Sequence, residues 1–171
     1  MTALTHFPKL RIAELVGRFG GVNRNDAIVN ARKELESLRD ESDQVIEKAI
    51  LALEKLVYAP AKPDRYSDSQ LKEILALGDQ VVTLAGTFGY GALDQTTRSL
   101  CDVADGLLCT GRADVPSIHV HMRALRMVSP KAPPLTAPQI ETMLAELRKI
   151  HAHYGFDQLA HAADKIAFEE P

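Results

Sequence analysis

Apolar residues in the first third of the chain recur at alternating intervals of three and four. Between positions 26 and 57 they stand at Ile28, Ala31, Leu35, Leu38, Val45, Ala49, Ala52 and Leu56, with Ser42 as the one polar residue on the seam. A 3-4 repeat kept up over this length predicts one long helix, either a bundle helix or a coiled-coil seam. Ile46, Ile50, Leu53 and Val57 widen the stripe in the second half. The first half keeps a narrow stripe, with Glu, Arg and Asp outside it. Residues 26–57 are therefore a candidate dimerisation arm that joins two copies as a homodimer. The simpler reading packs the helix within its own chain.

Four further helices follow. Ser67 and Gln70 make a capping box, which opens a helix over 67–87 with Leu71, Ile74, Leu75, Gly78, Val81, Val82 and Ala85 inward. A helix over 90–108 carries Leu93, Thr97, Leu100, Cys101, Ala104, Leu107 and Leu108 on one face. Asp114 caps the next, with Pro116 tolerated in its first turn and Ile118, Met122 and Leu125 inward. Thr136 and Gln139 form a second capping box, for a helix reaching about His153 with Ile140, Leu144, Leu147 and Ile150 on its stripe. Pro60 and Pro63 mark a linker at 58–66, and a second Pro-rich break lies at 129–135.

Strand-type alternation occurs at Ile118 to Met122, inside a helical pattern. The predicted fold is all-α: an up-down helical bundle over 67–154 with a long N-terminal helix. Residues 1–25 form an N-terminal segment with an amphipathic piece at Lys9 to Phe19. Residues 155–171 form a tail with a thin apolar face.

Composition narrows the function classes. The chain is 46% apolar and 25% charged, with a formal net charge of -3. No basic patch dominates, so no nucleic-acid partner is expected. No apolar run approaches the length of a membrane span, and the first residues lack the pattern of a signal peptide. A cytoplasmic protein is expected, without membrane partners. Cys101 and Cys109 read as buried small apolar groups rather than a disulfide framework. Gly17, Gly20 and Gly21 lack the Lys and Ser/Thr of a phosphate loop, and no nucleophile elbow is present. No cofactor is expected.

The segment from Leu75 to Val128 resembles the core of histidine-phosphotransfer (Hpt) domains. Ala85-Gly86-Thr87-Phe88-Gly89-Tyr90 matches the family's tight turn, and Leu93 to Leu100 matches the opening of its next helix. The phosphoacceptor histidine of that family stands ten residues before the second glycine of the turn; here that residue is Asp79. The basic residue three positions later is Val82, and the glycine after it is Thr83. Phosphotransfer needs an imidazole nucleophile and a cation to offset the incoming charge. Asp79 and Val82 supply neither. The chain also resembles a small group of bacterial chemotaxis-associated proteins, the CheE-like proteins. The matching stretches are Leu84 to Tyr90, Ser99 to Asp105, Ile118 to Arg126 and Leu144 to Lys149.

These resemblances imply a noncatalytic accessory protein of a two-component or chemotaxis pathway. Its partner would be a response-regulator receiver domain or a chemotaxis histidine kinase. The docking surface surrounds Asp79, with Lys72, Ala76, Gln80 and Thr83 on the same face. The alternatives are an active phosphocarrier that uses another histidine, His119 first, or a purely structural dimerisation module. His119 and His121 sit about 200° apart on a helix, as do His151 and His153, so neither pair can bind one metal. His121 falls beside the apolar stripe and reads as a hydrogen-bonded core or boundary residue. No metal site is expected.

Overall fold

The structure, a computed structural model, describes residues 23–58 and 64–155. The amphipathic piece expected at 9–19, the linker prolines at 60 and 63 and the tail at 157–171 lie outside the described residues. Among the described residues there are six helices and no strand, so the all-α prediction holds. They are α1 (Arg24–Ser37), α2 (Arg39–Val57), α3 (Asp68–Phe88), α4 (Gly91–Thr110), α5 (Val115–Met127) and α6 (Ala137–Tyr154).

The helix expected over 26–57 falls into two segments, α1 and α2, that break at Leu38. The Leu38 N–H reaches back only three residues, to Leu35 O at 3.1 Å. Ser37 Oγ bonds its own turn, at Glu34 O (2.7 Å). A three-residue bond tightens the last turn of a helix, and a serine bonded back to its own turn bends it. The chain divides at this point into two units, Met1–Leu38 and Arg39–Pro171. In the first unit, Asn23 Oδ1 caps α1 by accepting from Asn25 N–H at 3.0 Å. No residue of α1 is buried. Ile28, Val29 and Leu35 all face solvent.

The second unit holds the core. Helix α2 packs on α3, α3 on α4, α4 on α5 and α5 back on α2, which closes a ring of four; α6 lies against α4 and α5. Ile46, Ile50, Leu53 and Val57 of α2 point into this ring beside Leu71, Ile74 and Val81 of α3. Leu93, Leu100 and Leu107 of α4 and Ile118, Met122 and Leu125 of α5 complete it. Each such side chain contributes roughly 1.5–3 kcal/mol by leaving water. Thus the second half of the 3-4 repeat feeds its own chain's core, while the first half buries nothing.

Local chemistry fixes the helix ends. Ser67 N–H donates to Gln70 Oε1 at 2.9 Å and Gln70 N–H donates to Ser67 Oγ at 3.3 Å, which completes the capping box. Thr136 N–H likewise donates to Gln139 Oε1 at 2.8 Å. Helix α3 ends at Gly89, whose φ of 78° is the left-handed conformation that glycine adopts without penalty. Tyr66, expected in the linker, is instead buried, and its hydroxyl donates to Val57 O at 3.2 Å. Burial, with a contribution from Tyr58, pushes its phenol up to about 12.

Two polar clusters tie α2 to the rest. Arg39 Nη1 donates to Phe88 O and to Tyr90 Oη, each at 3.2 Å, and Tyr90 Oη donates to Asp43 Oδ1 at 2.6 Å. This clasp fastens the start of α2 to the α3–α4 turn. At the other contact, Arg126 of α5 bridges Glu47 (2.9 Å) and Glu54 (3.0 Å) of α2.

Candidate functional site

The outer face of α3 is set by helical geometry. At about 100° per residue, Leu71, Ile74, Gly78, Val81 and Ala85 fall on one arc. These are the buried residues of the helix. Lys72, Ala76, Asp79, Gln80 and Thr83 fall on the opposite arc, and all five are exposed. The residues expected to form a docking face therefore do share one solvent-facing surface. Its relief is low. Thr83 Oγ1 donates to Asp79 O and Thr87 Oγ1 to Thr83 O, each at 2.8 Å, so both hydroxyls are taken by the helix itself. What remains outward is the Ala76 methyl group and the bare backbone of Gly86, with Asp79, Gln80 and Lys72 as the polar features.

Behind this face, α3 touches α4 closely. A Cβ on Gly78 would collide with Cys101 Sγ. Burial raises the Cys101 thiol to about 12, and the charges of Asp79 and then Asp102 push the same way. The group stays a neutral thiol, consistent with a packing role for Cys101. Cys109, read as buried, is exposed. It lies near the end of α4, just beyond the part of the helix that faces the core.

The four described histidines occupy three different settings. His119 stacks against Tyr58, with ring centroids 4.8 Å apart. Its Nε2 is shut off from solvent and has no hydrogen-bond partner among the described residues. A phosphoacceptor nitrogen must be reachable by the phosphoryl donor, and this nitrogen is not. His153 is exposed on α6. His121 and His151 converge from α5 and α6 on Ser99 of α4, with ring centroids 5.9 Å apart.

The proton positions in that cluster follow from the acceptors. His121 Nδ1 lies 2.7 Å from Ser117 O, and a carbonyl can only accept, so Nδ1 carries the hydrogen. Burial, reinforced by the nearby His151, depresses the His121 imidazole to about 4, so the ring is neutral. Its Nε2 then accepts from Ser99 Oγ–H at 2.9 Å. Ser99 Oγ in turn accepts from His151 Nε2–H at 2.8 Å, a donor that also faces Ser99 O at 3.1 Å. The result is a one-directional relay, His151 to Ser99 to His121 to the Ser117 carbonyl. His121 is the hydrogen-bonded core histidine that its place beside the stripe implied.

Ser99 and His151 of the relay line a cavity of about 360 Å³ between α4 and α6. Gln95, Arg98, Ser99 and Asp102 line it from α4, and Leu144, Leu147, Arg148 and His151 from α6. Sequence reasoning did not find this cavity, because its lining is split between two helices far apart in the chain. No three His, Cys, Asp or Glu side chains converge as a metal set among the described residues. No described helix is long and apolar enough to cross a membrane. Comparison of the chain with protein-family models, with characterised proteins and with solved structures returns no match.

Proposed function

We propose that this chain is a noncatalytic signalling accessory protein, with an Hpt-like bundle that docks a response-regulator receiver domain or a chemotaxis kinase through the outer face of α3. The observation that carries this reading is the shared exposure of Lys72, Ala76, Asp79, Gln80 and Thr83 on the arc opposite the core. A low-relief helix face with a few polar features suits a reversible protein contact. Asp79 stands on it where the resembled family carries its phosphoacceptor. An aspartate at that place keeps the surface but not the phosphoramidate chemistry. The reading places the protein in the cytoplasm, beside its partners.

The test is titration of purified receiver domains and of the chemotaxis kinase from the same organism against the full chain. Saturable binding that Asp79→Lys and Ala76→Glu each weaken at least tenfold, with helicity unchanged, supports the reading. Undiminished binding by both variants overturns the assignment to α3. Incubation with kinase and ATP separates the phosphocarrier alternative: an acid-labile, alkali-stable label that His119→Ala abolishes would replace a docking role with a carrier role.

A further inference from the structure

We propose that the cavity between α4 and α6 binds a small organic carboxylate with an apolar body, its head held by Arg98 and Arg148 and its body resting on Leu144 and Leu147. This site is separate from the α3 face and does not depend on the docking reading.

Size comes first. A volume of about 360 Å³ falls at the small end of the range that ligand sites occupy. The floor is apolar: Leu144 and Leu147 are both buried side chains that nevertheless line the opening. Such a floor favours a compact hydrocarbon or aromatic group over a fully hydrated ion.

Charge comes second. The lining carries two guanidinium groups, Arg98 and Arg148, against one carboxylate, Asp102. Arg98 is held in place by Asp94, but only through Nε, which donates to Oδ1 at 3.1 Å and Oδ2 at 3.0 Å. Both amino groups of that guanidinium are left out of the pair. Arg148 has no hydrogen bond or ion pair among the described residues. Two cations contributed by facing helices to one crevice repel each other, and an anion seated between them turns that repulsion into attraction. Guanidinium groups match the planar, two-oxygen geometry of a carboxylate.

Rigidity comes third. Behind the charged rim lies the His151–Ser99–His121 relay, in which His151 Nε2–H, Ser99 Oγ–H and His121 Nδ1–H each have an acceptor at 2.7–3.1 Å. A fully bonded polar wall holds its shape, so the cavity is preformed rather than created by the ligand. Gln95 adds a neutral hydrogen-bonding amide to the same lining, whereas the one hydroxyl hydrogen of Ser99 is already taken by His121.

The experiment is an NMR titration of the full chain with phenylacetate and with hexanoate, each against its neutral amide. Expected are saturable shifts of backbone signals from 95–102 and 144–151 and of the His151 ring, with the acids and not with the amides. Arg98→Gln and Arg148→Gln should each weaken binding about tenfold, the size expected for one charge-assisted contact. Lys149→Gln removes the same charge from α6 outside the cavity and should leave affinity within about twofold of the parent. Arg98 and Arg148 are both exposed, so neither change endangers the fold. Three results overturn the proposal: no saturable shift with either acid, equal binding of the amides, or equal weakening by Lys149→Gln.

Discussion

Gly78 of α3 packs directly against Cys101 of α4: a Cβ added to the glycine would occupy the space of the cysteine sulfur. Glycine is here for room, since its backbone is ordinary helix. Gly78→Ala sets two effects against each other. Alanine gains about 1 kcal/mol in helix propensity, while forcing atoms into a packed contact costs about 1–3 kcal/mol. The single change should destabilise by about 1 kcal/mol in urea unfolding. In a Cys101→Ala background the collision is gone, and the same change should stabilise by up to about 1 kcal/mol. A glycine effect that keeps its sign in both backgrounds would mean that the sulfur is not what keeps position 78 small.

The Arg126 bridge gives a second measurement. Its guanidinium serves Glu47, whose side chain is only 8% exposed, and Glu54. Exposed pairs contribute under about 1 kcal/mol, and breaking a buried pair costs about 3–5 kcal/mol. Arg126 is half open to solvent, so Arg126→Met should cost about 2 kcal/mol. Most of that cost comes from leaving Glu47 without its main partner. Pairing Arg126→Met with Glu47→Gln should therefore recover part of the loss, which a double-mutant cycle reads directly.

Acid should weaken the fold through His121. In an unfolded chain this imidazole titrates near 6.5, and in the native protein near 4, through burial first and His151 second, with Ser117 O and Asp114 acting in the opposite direction. Between those values the unfolded chain binds more protons than the native one, so protons favour unfolding. The contribution of His121 is complete above about pH 6.5, declines as pH falls and levels off near pH 4. Its ceiling is about 3 kcal/mol. Urea midpoints measured between pH 7 and pH 4 should fall more steeply for the parent than for His121→Gln. Parallel profiles would show that the ring does not stay neutral.

Asp114 closes the start of α5. Its carboxylate accepts from Ser117 N–H at 3.2 Å and from Ser117 Oγ, and it bonds Tyr154 of α6. Burial raises its pKa, but the bonds from Ser117 and Tyr154 outweigh that and hold it below the usual carboxylate value. Asp114→Ala should cost about 1–2 kcal/mol, the range for a lost N-cap, and Asp114→Asn much less. Thermal unfolding of the two variants beside the parent decides it.

Much of this architecture was legible in the chain. Ser67 with Gln70, Thr136 with Gln139, and Asp114 each announce a helix start by local chemistry, and each start is where it was expected. The stripe of α3 was legible because a period near 3.6 needs only neighbours in sequence. The break at Leu38 was not, because the apolar repeat runs through it unchanged and only the hydrogen bonds of Ser37 and Leu38 mark it. Tyr66 was misread for a related reason: a short Pro-flanked stretch looks like linker, and its burial depends on where Val57 ends. The α4–α6 cavity was beyond reach, since Ser99 meets His121 across 22 positions and His151 across 52. Nothing local to any of the three residues records that meeting.

The bareness of α1 has a consequence in time rather than in energy. A helix of 14 residues with none buried draws little from a packed core, and short helices in water open constantly. Its amides should trade hydrogen for deuterium orders of magnitude faster than those of Ile50 or Leu100, with a step in protection between Leu38 and Ile46. That step is also a gauge of company. If a second copy covers Ile28 and Leu35, protection on α1 will climb with protein concentration while the rest of the profile stays where it was.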